Sequence, residues 1–466
     1  MIICSSLKKN SQGQHVPHPA TPLHSPPLSG RGQGWGQNGA GRSRPRPRAP
    51  VFYLTCRQSF FVIHRLLFAL LFLLFSARSR SQDSCGLRIT LLTCSPGQEL
   101  YSTFGHTAIR VQDAASGADI VFNYGTFPFD DPNFYAKFVR GKLPYYLSIE
   151  PFDGEYGFRE QYRYENRSIV EQEVLLSCER KTALLQALQQ NALPENREYR
   201  YDFIFDNCTT RAGAMIAAAA PAPVQRTRII PADSTNAPTF RNLITEYLVR
   251  GDHPWSKLGI DLLLGARLDR RASNTAAQFL PEKLLAGFTG ATAAGAPLVG
   301  PAQTIVPARP QAPGWSPGPV LVFGTLLLLI AILSFVPRRG AQAFLRVFDF
   351  ALFLVAGLVG ILILFMWFCT DHYWCANNWN LAWALPTHAV AAPFLLRERR
   401  WMNWYLLATI VILSLVVLGW LFLPQELNVG FLPLVLLLLL RAWLIILKPH
   451  YNAPAATPEP QTALHP

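Results

Sequence analysis

From Val320 onward the chain carries five apolar runs in succession, at about 320–336, 347–368, 381–396, 404–423 and 431–447. Each is near the roughly 20 residues that cross a bilayer, and too little polar sequence separates them for a set of soluble core helices. The third is the weakest, because Pro386, His388 and Pro393 interrupt it. The fifth contains Arg441, which must either snorkel to the surface or face a partner helix. Basic residues fix the orientation. Arg338, Arg339 and Arg346 follow the first run, Arg397, Arg399 and Arg400 follow the third, and Lys448 follows the fifth. With five crossings all three groups share one side, and the positive-inside rule makes that side cytoplasmic. The expectation is an all-α membrane domain of about five transmembrane helices over 319–448, with a cytoplasmic tail at 449–466. The preceding sequence and the loops at 371–380 and 425–428 then lie outside.

A length of 466 residues leaves room for two or three domains. The net charge of +13 is not a nucleic-acid signal, because much of it sits in an Arg-rich N-terminal stretch and beside the apolar runs. Residues 1–50 are rich in Pro, Gly, Ser, His and Arg and cannot bury a core. They read as a disordered extension or as the product of an upstream start, with translation expected nearer Val51 or Leu54. The reason is the segment at 57–82, whose apolar centre at 60–75 follows Arg57 in the manner of a signal peptide or signal anchor. The eight cysteines show no CxxC or Cys/His zinc spacing, so neither a metal site nor a cofactor is expected. Cys85, Cys94 and Cys178 allow one disulfide among them, and the sequence does not choose the pair.

Between these regions, 86–290 reads as an α+β domain. Strands are expected at 87–92, 107–111, 120–124, 145–149 and 168–176, and helices at 179–190, 208–219 and 240–248. The Ala/Pro/Gly-rich stretch 291–318 reads as a linker. His106 falls on a strand and Cys208 at the first position of a helix. A thiol there lies near the positive end of the helix dipole, where thiolate is favoured, and a histidine can hold its proton. The competing reading is a buried structural cysteine and a histidine satisfied by the backbone.

Further residues tilt the balance toward chemistry. Thr103-Phe104-Gly105-His106-Thr107-Ala108, then Asn123-Tyr124-Gly125-Thr126-Phe127, then Asp206-Asn207-Cys208-Thr209-Thr210-Arg211 resemble the catalytic domain of the bacterial Lnb-type lipoprotein N-acyltransferase family. Pro254-Trp255, Gly259-Ile260-Asp261-Leu262, Gly265, Asp269-Arg270 and Phe279-Leu280-Pro281 extend the similarity, which covers roughly 87–290. Asn378-Trp379-Asn380-Leu381 resembles the family's C-terminal region. The long N-terminal extension and the Ala276-Ala277-Gln278 stretch depart from the pattern. The His-before-Cys order is similar to that of permuted NlpC/P60 (papain-like) thiol enzymes, in which geometry rather than chain order makes the triad.

The resemblance implies a multi-pass protein of the bacterial inner membrane with its catalytic domain in the periplasm. A phospholipid acyl donor would load Cys208, and His106 would move the proton. The acyl chain would pass to the N-terminal lipidated Cys of bacterial lipoproteins. Helix amides after Cys208 would hold the oxyanion. Asn123, Asp202 and Glu99 are candidates to orient His106, with Asn123 favoured by its place on a neighbouring strand. Its competing role is turn formation ahead of Gly125. Arg211 and Tyr124 are candidate substrate contacts, although Arg211 also suits a structural salt bridge. Asp206 and Asn207 suit helix capping. His372 and Asn378, clustered with Trp374, Trp379 and Trp383, would floor a headgroup site or belong to an interfacial aromatic belt. Rival readings are a peptidoglycan amidase or endopeptidase using the same dyad, and a non-enzymatic membrane sensor.

Overall fold

A computed structural model describes residues 86–128, 131–233, 235–309, 316–397 and 399–447. The expected extension, signal segment and cytoplasmic tail, together with Cys85 and Lys448, lie outside the described residues. From Asp83 onward the chain forms one compact unit.

The first strands are β1 (Leu87–Cys94), β2 (His106–Asp113) and β3 (Ala118–Thr126), followed by helix α1 (Phe134–Val139) and strand β4 (Pro144–Pro151). Then come α2 (Phe158–Tyr164), β5 (Ile169–Glu173), α3 (Cys178–Ala192), β6 (Glu198–Arg200) and α4 (Cys208–Ala219). Helices α5 (Phe240–Arg250), α6 (Pro254–Leu263) and α7 (Pro281–Phe288) precede short strands β7 (Thr292–Ala293), β8 (Ala296–Pro297) and β9 (Gln303–Val306). Seven strands make one antiparallel sheet in the order β6-β4-β3-β2-β1-β5-β9. Because β9 pairs with β5, the sheet continues into the stretch expected to be a linker.

Side-chain alternation divides the sheet's work. Ile89, Leu91, Ile109, Val111, Phe122 and Leu147 pack one face against α3, α4 and α7, through Leu188, Ile216 and Phe288 among others. On the opposite face Leu92, Ala108 and Val121 pack under Phe152, Phe158 and Tyr162. Arg110, buried over the Phe152 ring at 3.5 Å, pairs there with Asp119 and Glu171. Cys94, at the end of β1, is a buried free thiol.

The C-terminal part is helical: α8 (Pro319–Ser334), α9 (Arg339–Phe368), α10 (Thr387–Ala391), α11 (Arg400–Leu418) and α12 (Leu432–Leu447). Among the described residues three helices are long and apolar enough to cross a membrane: Arg339–Phe368, Arg400–Leu418 and Val429–Leu447. Pro319–Ser334 and Thr387–Leu396 are shorter apolar helices. The segment expected as the third span is broken, with a 3-10 turn at Trp379–Ala382, five α-helical residues and a second 3-10 turn at Ala392–Leu396. Pro393 lacks an N–H and interrupts the α ladder. Arg441 faces partner helices: it forms a two-pronged pair with Asp349 (2.6 and 2.8 Å) and donates to Ser334 Oγ at 2.6 Å.

Candidate active site

The start of α4 is fixed by Asn207, whose extended backbone (φ −121°, ψ −179°) halts the helix. Its Oδ1 accepts from the N–H groups of Thr209 and Thr210, both at 2.9 Å, and Thr210 Oγ1 accepts from the Asn207 N–H at 2.8 Å. This reciprocal cap satisfies helix donors that would otherwise be orphaned. Asn207 Nδ2 also donates to the carbonyls of Phe203 and Phe279, at 2.8 and 3.0 Å. The next residue, Cys208, is therefore held at the helix entrance. It is only 8% exposed.

Burial alone pushes the Cys208 thiol up. The charge of His106 and a hydrogen bond from it, with help from the Thr107 N–H and the Thr209 hydroxyl, overcome that and lower it to about 7. Burial likewise pushes His106 down, but the facing thiolate, its hydrogen bond and Asn123 raise it above the ordinary histidine value. The pair therefore favours thiolate and imidazolium. His106 Nε2 donates to Asn123 Oδ1 at 2.6 Å, which leaves Nδ1 for the sulfur. Asn123 Nδ2 donates to Glu150 Oε1 at 2.6 Å, and Ser148 Oγ donates to that same oxygen at 2.9 Å. Glu150 thus holds the Asn123 amide with its oxygen toward the histidine. Cys94 provides the contrast: burial pushes it up to about 12 despite the nearby Arg167 charge and a hydrogen bond with Tyr162.

Gly125 makes room for the sulfur. The β3–β4 register shifts between Tyr124 and Thr126, and Gly125 occupies that irregularity at φ +96°. A Cβ there would stand 3.6 Å from Cys208 Cβ and 3.9 Å from the Tyr201 ring. An L side chain is disfavoured at such a φ and would crowd the approach to the thiol.

Residues 76–244 match the Lnb N-terminal periplasmic domain, and residues 311–451 match the Lnb transmembrane domain. Together the two matches cover about two thirds of the chain. The chain belongs to the Lnb family. Its domains are those of a membrane protein with a periplasmic domain, of the lipoprotein N-acyltransferase type. No curated protein and no solved structure matches it.

In this Lnb chain the residues singled out from the sequence divide into two groups. Cys208, His106 and Asn123 meet in one line. The others have structural partners. Tyr124 is 1% exposed and its hydroxyl accepts from Asn191, because neighbouring strand residues point to opposite faces and Asn123 takes the site side. Arg211 is held by Asp206 at 2.6 and 2.8 Å and lies 3.5 Å over the Tyr199 ring. His372 Nε2 lies 3.1 Å from the carbonyls of Phe138 and Val139, and Asn378 Nδ2 donates to those of Leu262 and Leu263. These last two residues join the membrane domain to the sheet domain. Trp374 does the same: it is buried against Phe203 and Phe240, and its Nε1 lies 3.1 Å from both carboxylate oxygens of Asp202. Asp202, so engaged, is not the partner of His106, and Glu99 is exposed at the first 3-10 turn. Trp383 is buried beside Phe431 and donates to Asn380, whereas Trp379 is 40% exposed, as a belt residue would be.

The helix-start amides are also reassigned. Asn207 Oδ1 takes those of Thr209 and Thr210, and its backbone oxygen takes that of Arg211. Among the described residues the Cys208 N–H is the one in that turn with no such acceptor. Sequence reasoning missed Glu150; the polar alternation Ser148-x-Glu150 on a strand was the available signal. Among the described residues no cluster of His, Cys, Asp and Glu is arranged to hold a metal.

Proposed function

We propose that the protein is a cysteine-dependent lipoprotein N-acyltransferase, and that its sheet domain is a permuted NlpC/P60-like thiol domain above five membrane crossings. The thiolate–imidazolium pair of Cys208 and His106 carries the reading. The Asn123–Glu150 line behind it and the family's paired domains support it. The Cys208 thiolate attacks the ester carbonyl of a phospholipid, forming a C–S bond and an oxyanion near the Cys208 N–H. The ester C–O bond breaks, and the His106 imidazolium protonates the departing alkoxide, giving a lysophospholipid and a thioester. The α-amine of a diacylglyceryl-Cys N-terminus then attacks the thioester while His106 takes its proton. An amide forms and the thiolate returns. Both lipids are anchored in one leaflet, so a tethered site raises their encounter rate.

Intact mass spectrometry of full-length protein with phospholipid vesicles tests this. One acyl chain should appear on the protein, vanish on adding a diacylglyceryl-Cys peptide, and reappear on the peptide amine. An adduct that persists in Cys208→Ala protein defeats the assignment. Peptidoglycan cleavage without N-acylated peptide would favour the wall hydrolase.

A further inference from the structure

The path between the thiol and the membrane side of the sheet domain is lined by aromatic rings. It starts at the Tyr201 ring, which shares with Cys208 the space above Gly125. Tyr201 stacks on Tyr145 with centroids 4.3 Å apart, Tyr145 meets Phe127 at 5.2 Å, and Phe127 stacks on Phe134 at 5.9 Å. Phe134 in turn stacks on Phe138 at 6.1 Å. Tyr201, Tyr145 and Phe127 are partly exposed and Phe138 is 50% exposed, while Phe134, which stacks on both Phe127 and Phe138, is buried at 8%, so the edges of four rings reach the surface along this line.

The far end of the strip is placed by backbone contacts. The Phe138 and Val139 carbonyls meet His372 Nε2, and the Arg140 carbonyl accepts from the Asp371 N–H at 3.0 Å. Those two residues follow α9, a helix long enough to cross the bilayer, by three and four positions. The tip of α1 therefore sits where that helix leaves the lipid. Tyr135, 63% exposed, lies beside Phe138 on the same short helix. Arg140 and Lys142 are exposed there and make no ion pair among the described residues. Aromatic rings with unpaired cations at a helix exit are the composition of a membrane interface, where the cations meet lipid phosphate.

We infer that this strip is the track for the donor phospholipid's acyl chain, leading from the outer surface of the bilayer at Phe138 to the thiol at Cys208. The inference rests on the acyl-transfer reading and adds the binding site for its first substrate. An apolar chain lying along the exposed rings of this line is shielded from water, which brings its ester to the sulfur. The donor is favoured over the lipoprotein as occupant because the strip ends at the nucleophile, where the first acyl group must arrive.

The test compares two acyl donors on full-length protein in bilayers, read as the rate of Cys208 adduct formation by intact mass. One is long-chain phosphatidylethanolamine in vesicles and the other is water-soluble p-nitrophenyl acetate. Phe138→Glu, at a half-exposed position and with the acetyl rate as the check on folding, should lower the ratio of long-chain to acetyl rates at least tenfold. Phe127→Ala should shift the preferred chain length of the vesicle donor. Equal ratios in Phe138→Glu and unaltered protein overturn the track, as does an effect confined to the later transfer to a diacylglyceryl-Cys peptide. If the unaltered protein acquires an adduct from neither donor, the acyl-transfer reading itself fails and takes the track with it.

Discussion

Burial raises the pKa of a thiol, as it does at Cys94, whereas at Cys208 the facing His106, helped by the Thr107 N–H and the Thr209 hydroxyl, outweighs it. The sign of the pH response follows. Thiolate is the reactive form, so iodoacetamide labelling of Cys208 should be high above pH 7 and fall away below about 7. In His106→Ala the opposing charge is gone while the burial remains. The labelling midpoint should then rise above the ordinary thiol range, and turnover should fall about a hundredfold. An unmoved midpoint would show that the histidine does not set the thiol. Glu150 acts one step further back, through the Asn123 amide. Asn123→Ala and Glu150→Ala should each cut kcat roughly tenfold, and the double variant should be little worse, since both break one line. Full additivity in that cycle would separate Glu150 from the site. The residues that meet at the candidate site were legible because a helix-start cysteine and strand polar residues leave local signals. Glu150 was not, since its role depends on the Asn123↔Ser148 register, a long-range pairing. The burial of Tyr124 was not legible either, because its place in the core depends on the packing of the helix that follows Cys208.

At the scale of elements, the site depends on where α4 begins, and Asn207 sets that point with both ends of its amide. Replacing it by Ala removes the cap from two amides and leaves two carbonyls without their donor. The expected cost is about 2 kcal/mol, read as a fall in the thermal midpoint of the full-length protein. Cys208 labelling at pH 7 should fall as well, because the fraying helix end no longer fixes the sulfur against His106. Loss of stability with labelling unchanged would make Asn207 a cap and nothing more. Helix Cys208–Ala219 was legible from its Ala-rich run and polar entrance. Strand β9 was not, because four residues in an Ala/Pro/Gly-rich stretch carry no period, and only pairing with β5 makes them a strand. In the third apolar run the prolines warned of interruption, but the 3-10 turns that replace a continuous helix depend on packing.

The whole molecule is organised by the docking of the sheet domain onto the membrane domain, through contacts no single segment announces. Arg241, 1% exposed, pairs with Asp261 and Asp269 and donates to the carbonyls of Leu264 and Gly265. Asp261 in turn accepts from Asn428, and the Leu264 carbonyl from Gln425, on the loop between the last two helices. Gly265 allows the closest approach, since a Cβ there would lie 2.1 Å from the Ala376 carbonyl. On the proposed function, docking of this kind holds the thiol at the lipid surface, and a shortened protein tests that role. A chain ending after Arg309 retains β9, and its dyad should stay intact. Labelling of Cys208 should still fall off below about pH 7, and acetylation by p-nitrophenyl acetate should continue. Acylation from vesicles should drop at least tenfold, because the lipid and the thiol no longer share a surface. Ending the chain at Ala291 instead removes β9 and the buried Leu298 and Val299, so that product should lose its cooperative thermal transition. Trp374→Ala in the full-length protein should move vesicle acylation in the direction of the Arg309 truncation, since it opens the contact with Asp202, Phe203 and Phe240. A truncated domain that takes acyl chains from vesicles at the full-length rate would mean that docking serves stability alone.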